Sequence, residues 1–301
     1  GGRHTLVVTC GPNSLFAWGS NSHGQVGDGT LADVHLPKMI LPEGVKSCSA
    51  GKNHSIVTMK DGSVLAWGCN DDCLLGTGWT VKQQEPKQVF PDILSGVLDA
   101  VAGSKHNLAL TEDGDVLAWG SNDYGQLGDG TTTARRKPVK VKLSGGFSRA
   151  RAIAAGWYHS VALTDSGEVF CWGMTTPDAA SGFGTAREPA MVLSHGVMMI
   201  SAGGMHSLAV TKQNVLLAWG SNERGQLGDG GGGGGSRRAT PAIVASHITH
   251  ASAGDYHTLA VDTEQRLLVW GFHAFPPPGD TFRSEPRPTV VEMDYRTFHF
   301  H

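Results

Sequence analysis

Six tryptophans, each followed by glycine, divide the chain into near-equal parts: Trp18, Trp67, Trp119, Trp172, Trp219 and Trp270 stand 47 to 53 residues apart. A second series keeps step with them. His54, His106, His159, His206 and His257 each follow an Ala-Gly pair by two residues and precede their tryptophan by 13, and His4, in "GGRHT", lacks only the leading Ala. A fixed period of this length is the signature of a repeat architecture, in which no unit buries its apolar face alone. The units begin near residues 1, 50, 102, 155, 202 and 253 and make the 301 residues a single domain.

Between the two markers, "HSVALTDSGEVFCWG" alternates apolar and polar residues on either side of a Ser-Gly turn, the pattern of half-buried antiparallel strands. Runs such as "KPVKVKL" and "EPAMVL" after each tryptophan supply further strand. Helical periodicity is nowhere sustained. The reading is therefore all-β, a closed propeller of six four-stranded blades, within the usual range of about four to eight. The stretch beyond Trp270 and the stretch leading up to Trp18 together make one ordinary period. On this reading the terminal strand 287–293, "RPTVVEM", completes the first blade and covers an edge that would otherwise invite aggregation. The alternative is a seven-bladed propeller with one blade missing.

With hydrophobic residues at 40% and a net charge of -3, the chain has the composition of a soluble globular protein with ample core. No apolar run reaches the roughly 20 residues of a membrane helix. Five cysteines, mostly inside apolar runs, point to free thiols and a reducing intracellular compartment, cytoplasmic or nuclear. Cys69 and Cys73 lack the spacing and the second pair of a zinc knuckle, so no metal and no cofactor is expected.

Units of the WD type are shorter, roughly 40 to 45 residues, and end in Trp-Asp. The pattern "AGxxHSxAL...GxVxAWGxNxxGQLGDG" instead resembles the regulator of chromosome condensation repeat family, over all six units. That family's propellers usually have seven blades, so six is a departure. The resemblance implies two kinds of function. One is protein binding through loops on one face, as in the substrate-binding propellers of large ubiquitin ligases. The other is nucleotide exchange on a Ran-like small GTPase, with docking on chromatin. In exchange factors of this family, acidic residues just before the repeat histidine and a wedge inserted in one blade do the work. Here only Asp255 is acidic at such a position, and no interval between tryptophans has room for a wedge.

The loop "GQLGDG", intact in the first, third and fifth units, has the glycine density of a phosphate cradle. A phosphate loop, however, lies between a strand and a helix and commonly carries a lysine. The expectation is scaffold: Gly125, Gly128 and Gly130 turn the chain and Asp129 bonds the local backbone. The six glycines 230–235 read as a mobile loop. Six histidines and six tryptophans in equivalent places likewise argue for a structural task done in every blade. No nucleophile elbow, carboxylate pair or ligand cluster suggests an enzyme.

Residues that differ between units specify the partner. Those before each histidine include Arg3, Lys52, Asn53, Lys105, Trp157, Tyr158, Met205, Asp255 and Tyr256, and they form the expected partner-binding set of a monomeric domain. Trp157 stands out because the repeat does not require it. A second candidate is basic. Arg135, Arg136, Lys137, Lys140, Lys142, Arg149 and Arg151 fall in an interval, 130–164, without Asp or Glu, and would suit an acidic protein, nucleic acid or chromatin.

Overall fold

The computed structural model describes the chain except residues 72–73, 78–80, 95, 143–148, 177–183, 232–236, 274–282 and 292–301. Among the described residues there is no α-helix, and therefore none long and apolar enough to cross a membrane. The strands form six antiparallel sheets that follow one another along the chain, one per repeat. In the second blade they run, from the axis outward, Val45–Ala50, His54–Met59, Val64–Gly68 and Gln83–Gln88. Register is the same in every blade. The repeat histidine pairs with the glycine after the tryptophan, as in His159 with Gly173, and the next residue pairs with the tryptophan, as in Ser160 with Trp172.

The histidine strands of the second to fifth blades are more deeply buried than half-buried alternation implies. His159–Thr164 is buried throughout, because blades stack on both of its faces. The polar positions of the alternation, Ser55, Asn107, Ser160, Ser207 and Thr258, are buried too and carry hydrogen bonds between blades.

The core lies between blades rather than within them. Five apolar clusters fill the five seams from the first blade to the sixth, each holding the tryptophan of the later blade: Trp67, Trp119, Trp172, Trp219 and Trp270, none more than 2% exposed. The flank of the first blade that faces away from the second is different. Thr5 is exposed and Val7 is 42% exposed, although their counterparts Ser160 and Ala162 are fully buried. Trp18 and His257 are only partly buried.

The terminal strand does not take the place expected of it. Arg283–Val290 is the outermost strand of the sixth blade and pairs with Leu267–His273, Thr289 opposite Val269 and Val290 opposite Leu268. The first blade has three strands among the described residues, His4–Val8, Leu15–Gly19 and Val34–Leu41, without an innermost one. The reason is local. In the first five blades the outer strand begins 12 to 18 residues after the tryptophan, and Arg283 follows Trp270 by 13. Residues 292–293 of the expected strand, and most of the glycine loop 230–235, lie outside the described residues.

Candidate binding mouth

The repeated residues form a latch between neighbouring blades. The backbone carbonyl of Gln126, in the loop of the third blade, accepts from Trp172 Nε1 at 2.9 Å and from Ser160 Oγ at 2.8 Å, both in the fourth. Gln25 serves Trp67 and Ser55, and Gln226 serves Trp270 and Thr258, in the same way. In the second blade, where the loop reads "DDCLLGTG", the carbonyl of Leu74 still accepts from Trp119 and Asn107. Gly128 explains the glycine. Its φ is +66°, and a Cβ there would stand 2.8 Å from Trp172 Nε1. Asp129 fixes the loop by accepting from Thr131 N and Oγ1, Asn122 Nδ2 and Arg135 Nε. Its counterpart Asp28 is pushed up by burial, but hydrogen bonds from Lys38 and Thr30 outweigh that and hold it at about 2. The loop is scaffold.

The histidines complete the latch. Because Ser160 Oγ donates to Gln126, it accepts from His106 Nε2 at 2.9 Å, which fixes that ring as the neutral Nε2–H tautomer. Nδ1 then has no hydrogen-bond partner in His4, His54, His106 and His206. It packs instead on the glycine before the histidine. At Gly156, for example, a Cβ would meet His159 Cε1 and the Gly203 carbonyl of the next blade, so the blades approach there within backbone distance. A second proton on Nδ1 would be a buried charge without a partner. Burial accordingly lowers His106 and His206 to about 3 and His54 and His159 to about 4.

Above this frame, the loops before the histidines border a central mouth of about 660 Å³ to which all six blades contribute. Its rim is tied by backbone hydrogen bonds from blade to blade: Gly2 N to Gly51 O, Ser104 N to Gly156 O, Trp157 N to Gly204 O and Gly204 N to Gly254 O. Of the variable residues, Arg3, Lys52, Asn53, Trp157, Tyr158 and Asp255 line it. Trp157 Nε1 donates to Asp255 Oδ1 at 2.8 Å, 98 residues away in the chain. The same indole packs edge-on to Tyr256, ring centroids 5.2 Å apart, and to Tyr158 at 6.4 Å. Tyr124 extends the cluster, 5.0 Å from Tyr158. It was not among the expected residues, yet its position varies between the intact loops, His23, Tyr124 and Arg224, which is the signal that marks the others. On the rim of the first three blades, Arg3, Lys52 and Lys105 are exposed. Asn53 and Met205 are partly buried.

The basic run is not brought together as a free patch. Arg135 pairs with Asp129, Lys140 with Asp115, Lys142 with Glu188 and Arg149 with Asp165. Arg151 donates to the carbonyls of Thr164, Val197 and Met198, and Lys137 lies over the ring of Phe90 at 5.3 Å. Arg136 is exposed. The acids lie just outside the interval: Asp129 and Asp165 flank it, Asp115 sits in the hairpin turn of the same blade as Lys140, and Glu188 is on the outer strand of the next blade. Of the cysteines, Cys10, Cys48, Cys69 and Cys171 are unpaired, and Cys73 lies outside the described residues.

The model of the regulator of chromosome condensation (RCC1) repeat matches residues 13–58, 61–110, 113–163 and 214–261, well over half of the chain. The chain belongs to the RCC1 repeat family. Among its relatives, the ultraviolet-B receptor UVR8 of Arabidopsis thaliana is 29% identical over 284 residues, 90% of this chain and 63% of the receptor. The human E3 ubiquitin-protein ligase HERC2 is 29% identical over 301 residues, 97% of this chain and 5% of the ligase. This RCC1 chain thus spans less than two thirds of either relative. Prp20p from Saccharomyces cerevisiae, studied for its binding to Gsp1p and histones, superposes with a TM-score of 0.78 at 25% identity, covering 95% of this chain and 76% of that one.

Proposed function

We propose that this RCC1 propeller is a non-enzymatic interaction module that holds a protein partner at the mouth of its ring. One observation carries the reading: Trp157 and Tyr158, neither required by the repeat, line one arc of the mouth and are partly buried, and Tyr256, 37% exposed, packs edge-on to the same indole. Aromatic side chains placed this way are the residues that dominate binding energy at interfaces. The family supports it, since its members here include a ligase and a protein studied for its protein partners.

Nucleotide exchange on a Ran-like GTPase is the lesser reading. The one acidic residue before a repeat histidine, Asp255, already accepts a hydrogen bond from Trp157. Affinity capture from cell extract tests both readings. Replacing Trp157 and Tyr256 by Ala is expected to weaken the captured partner by about a hundredfold, since two hot-spot side chains at about 1.4 kcal/mol each amount to that. Thermal unfolding should shift little. Unchanged capture places the interface elsewhere, and release of labelled nucleotide from Ran accelerated a thousandfold or more makes exchange the function.

A further inference from the structure

The mouth is divided by chemistry, and the division suits one kind of ligand. Arg3 and Lys52, both exposed, line the mouth from the first two blades, and Trp157 and Tyr158 line it from the fourth, with Tyr256 of the sixth packed on that indole. Neither Arg3 nor Lys52 has an ion-pair partner among the described residues. Among the described residues that line the mouth the one carboxylate is Asp255, which accepts from Trp157 on the aromatic side. We propose that the mouth binds an extended acidic peptide, with Asp or Glu side chains on Arg3 and Lys52 and one aromatic or large aliphatic side chain on Trp157 and Tyr256. This rests on the reading of the mouth as a protein-binding face and names what it selects.

Size and charge favour a peptide over the other polyanion, nucleic acid. A cavity of about 660 Å³ is within the range that holds a small ligand or a few residues of extended chain. A nucleic acid needs a basic track along which phosphates can run. Among the described residues outside the mouth, Arg135, Lys140, Lys142 and Arg149 of the basic run are paired with Asp129, Asp115, Glu188 and Asp165, so the run offers no continuous track. Asp255 would also repel a phosphate backbone passing across the centre. A peptide avoids that carboxylate by placing an apolar residue beside it.

The test is an array of nine-residue peptides in which each position is drawn from acidic, basic, aromatic, aliphatic or Gly/Ser residues, probed with the whole chain. Retained peptides are expected to combine Asp or Glu with an aromatic or large aliphatic residue. For the best of them, labelled and titrated by fluorescence anisotropy, Lys52→Glu should weaken binding tenfold or more at low salt, and the loss should shrink at high salt. Trp157→Ala should remove the apolar preference while leaving the acidic one. Retention of basic peptides, absence of any charge preference, an empty array, or indifference to Lys52→Glu in a protein of unchanged melting temperature overturns the proposal. So does tighter binding of a labelled single-stranded oligonucleotide than of any peptide. A partner captured through Trp157 together with an array indifferent to charge would leave the protein-binding reading standing and remove this one.

Discussion

A buried imidazole that is neutral because its second nitrogen faces a glycine makes the protein's stability depend on pH in a defined window. His4, His106 and His206 are lowered to about 3, and His54 and His159 to about 4, with burial the leading cause in each. Their ordinary value is near 6.5, so between that and about 4 the unfolded chain binds more protons than the folded one. Stability is therefore complete above about pH 6.5 and is lost as pH falls toward the folded values. Asp28, held at about 2, adds a loss only at lower pH, below the ordinary carboxylate range. The midpoint of denaturant unfolding is expected to fall steeply from pH 6.5 to 4.5, with a slope approaching five protons. His106→Gln keeps a donor for Ser160 without a titrating ring. It should be less stable at pH 7.5 but show a shallower acid slope by about one proton, whereas an unchanged slope would mean that the ring titrates normally in the folded state.

The loop after the tryptophan is a latch in the first, second, third and fifth units, and its glycine is set by two constraints at once. Gly128 has positive φ and lies where a Cβ would meet Trp172 of the next blade; Gly11 has φ +92° and nothing within 4 Å of a Cβ. Gly11→Ala isolates the backbone strain, on the order of 1–2 kcal/mol. Gly128→Ala adds displacement of a buried indole that also donates to Gln126, and is expected to cost at least about 2 kcal/mol more by equilibrium denaturation. Equal losses would show that the loop moves freely off its neighbour. Such loops, with the strand register, were legible because the same residues recur in unit after unit and chance does not produce that. The terminal strand and the basic run differ from the reading of the sequence for separate reasons. Arg283–Val290 simply joins the strand that precedes it in the chain, Leu267–His273, whereas the carboxylate that Lys142 meets, Glu188, comes from the next blade and is near it only in space. For the strand, the distance from Trp270 held the answer. For the mouth, the variable pairs before the histidines pointed to Trp157 and Tyr256, but their contact joins the fourth blade to the sixth and is visible only once the ring is built.

At the scale of the whole molecule, the six blades repeat the same frame residues but their seams are not equally filled. Five seams bury a tryptophan completely or nearly so, while Trp18 is only partly buried and the neighbouring strand leaves Thr5 and Val7 exposed. A large side chain removed from a filled seam loses its transfer free energy and leaves a cavity, about 3–5 kcal/mol in total. One removed from a half-open flank leaves no enclosed cavity and had less surface buried to lose. Trp172→Ala is therefore expected to destabilise the chain by about 3–5 kcal/mol, and Trp18→Ala by less than about half as much, measured by chemical denaturation of each variant beside the parent. The comparison is internally controlled, because both tryptophans precede a Gly in the same strand position and pair with the residue after a repeat histidine, Thr5 for Trp18 and Ser160 for Trp172. Near-equal losses would mean that in solution the flank of the first blade is packed as tightly as the other seams. A small loss at Trp18 alone would place the weak point of the ring there, at the flank where apolar surface remains available for a further strand or blade to cover.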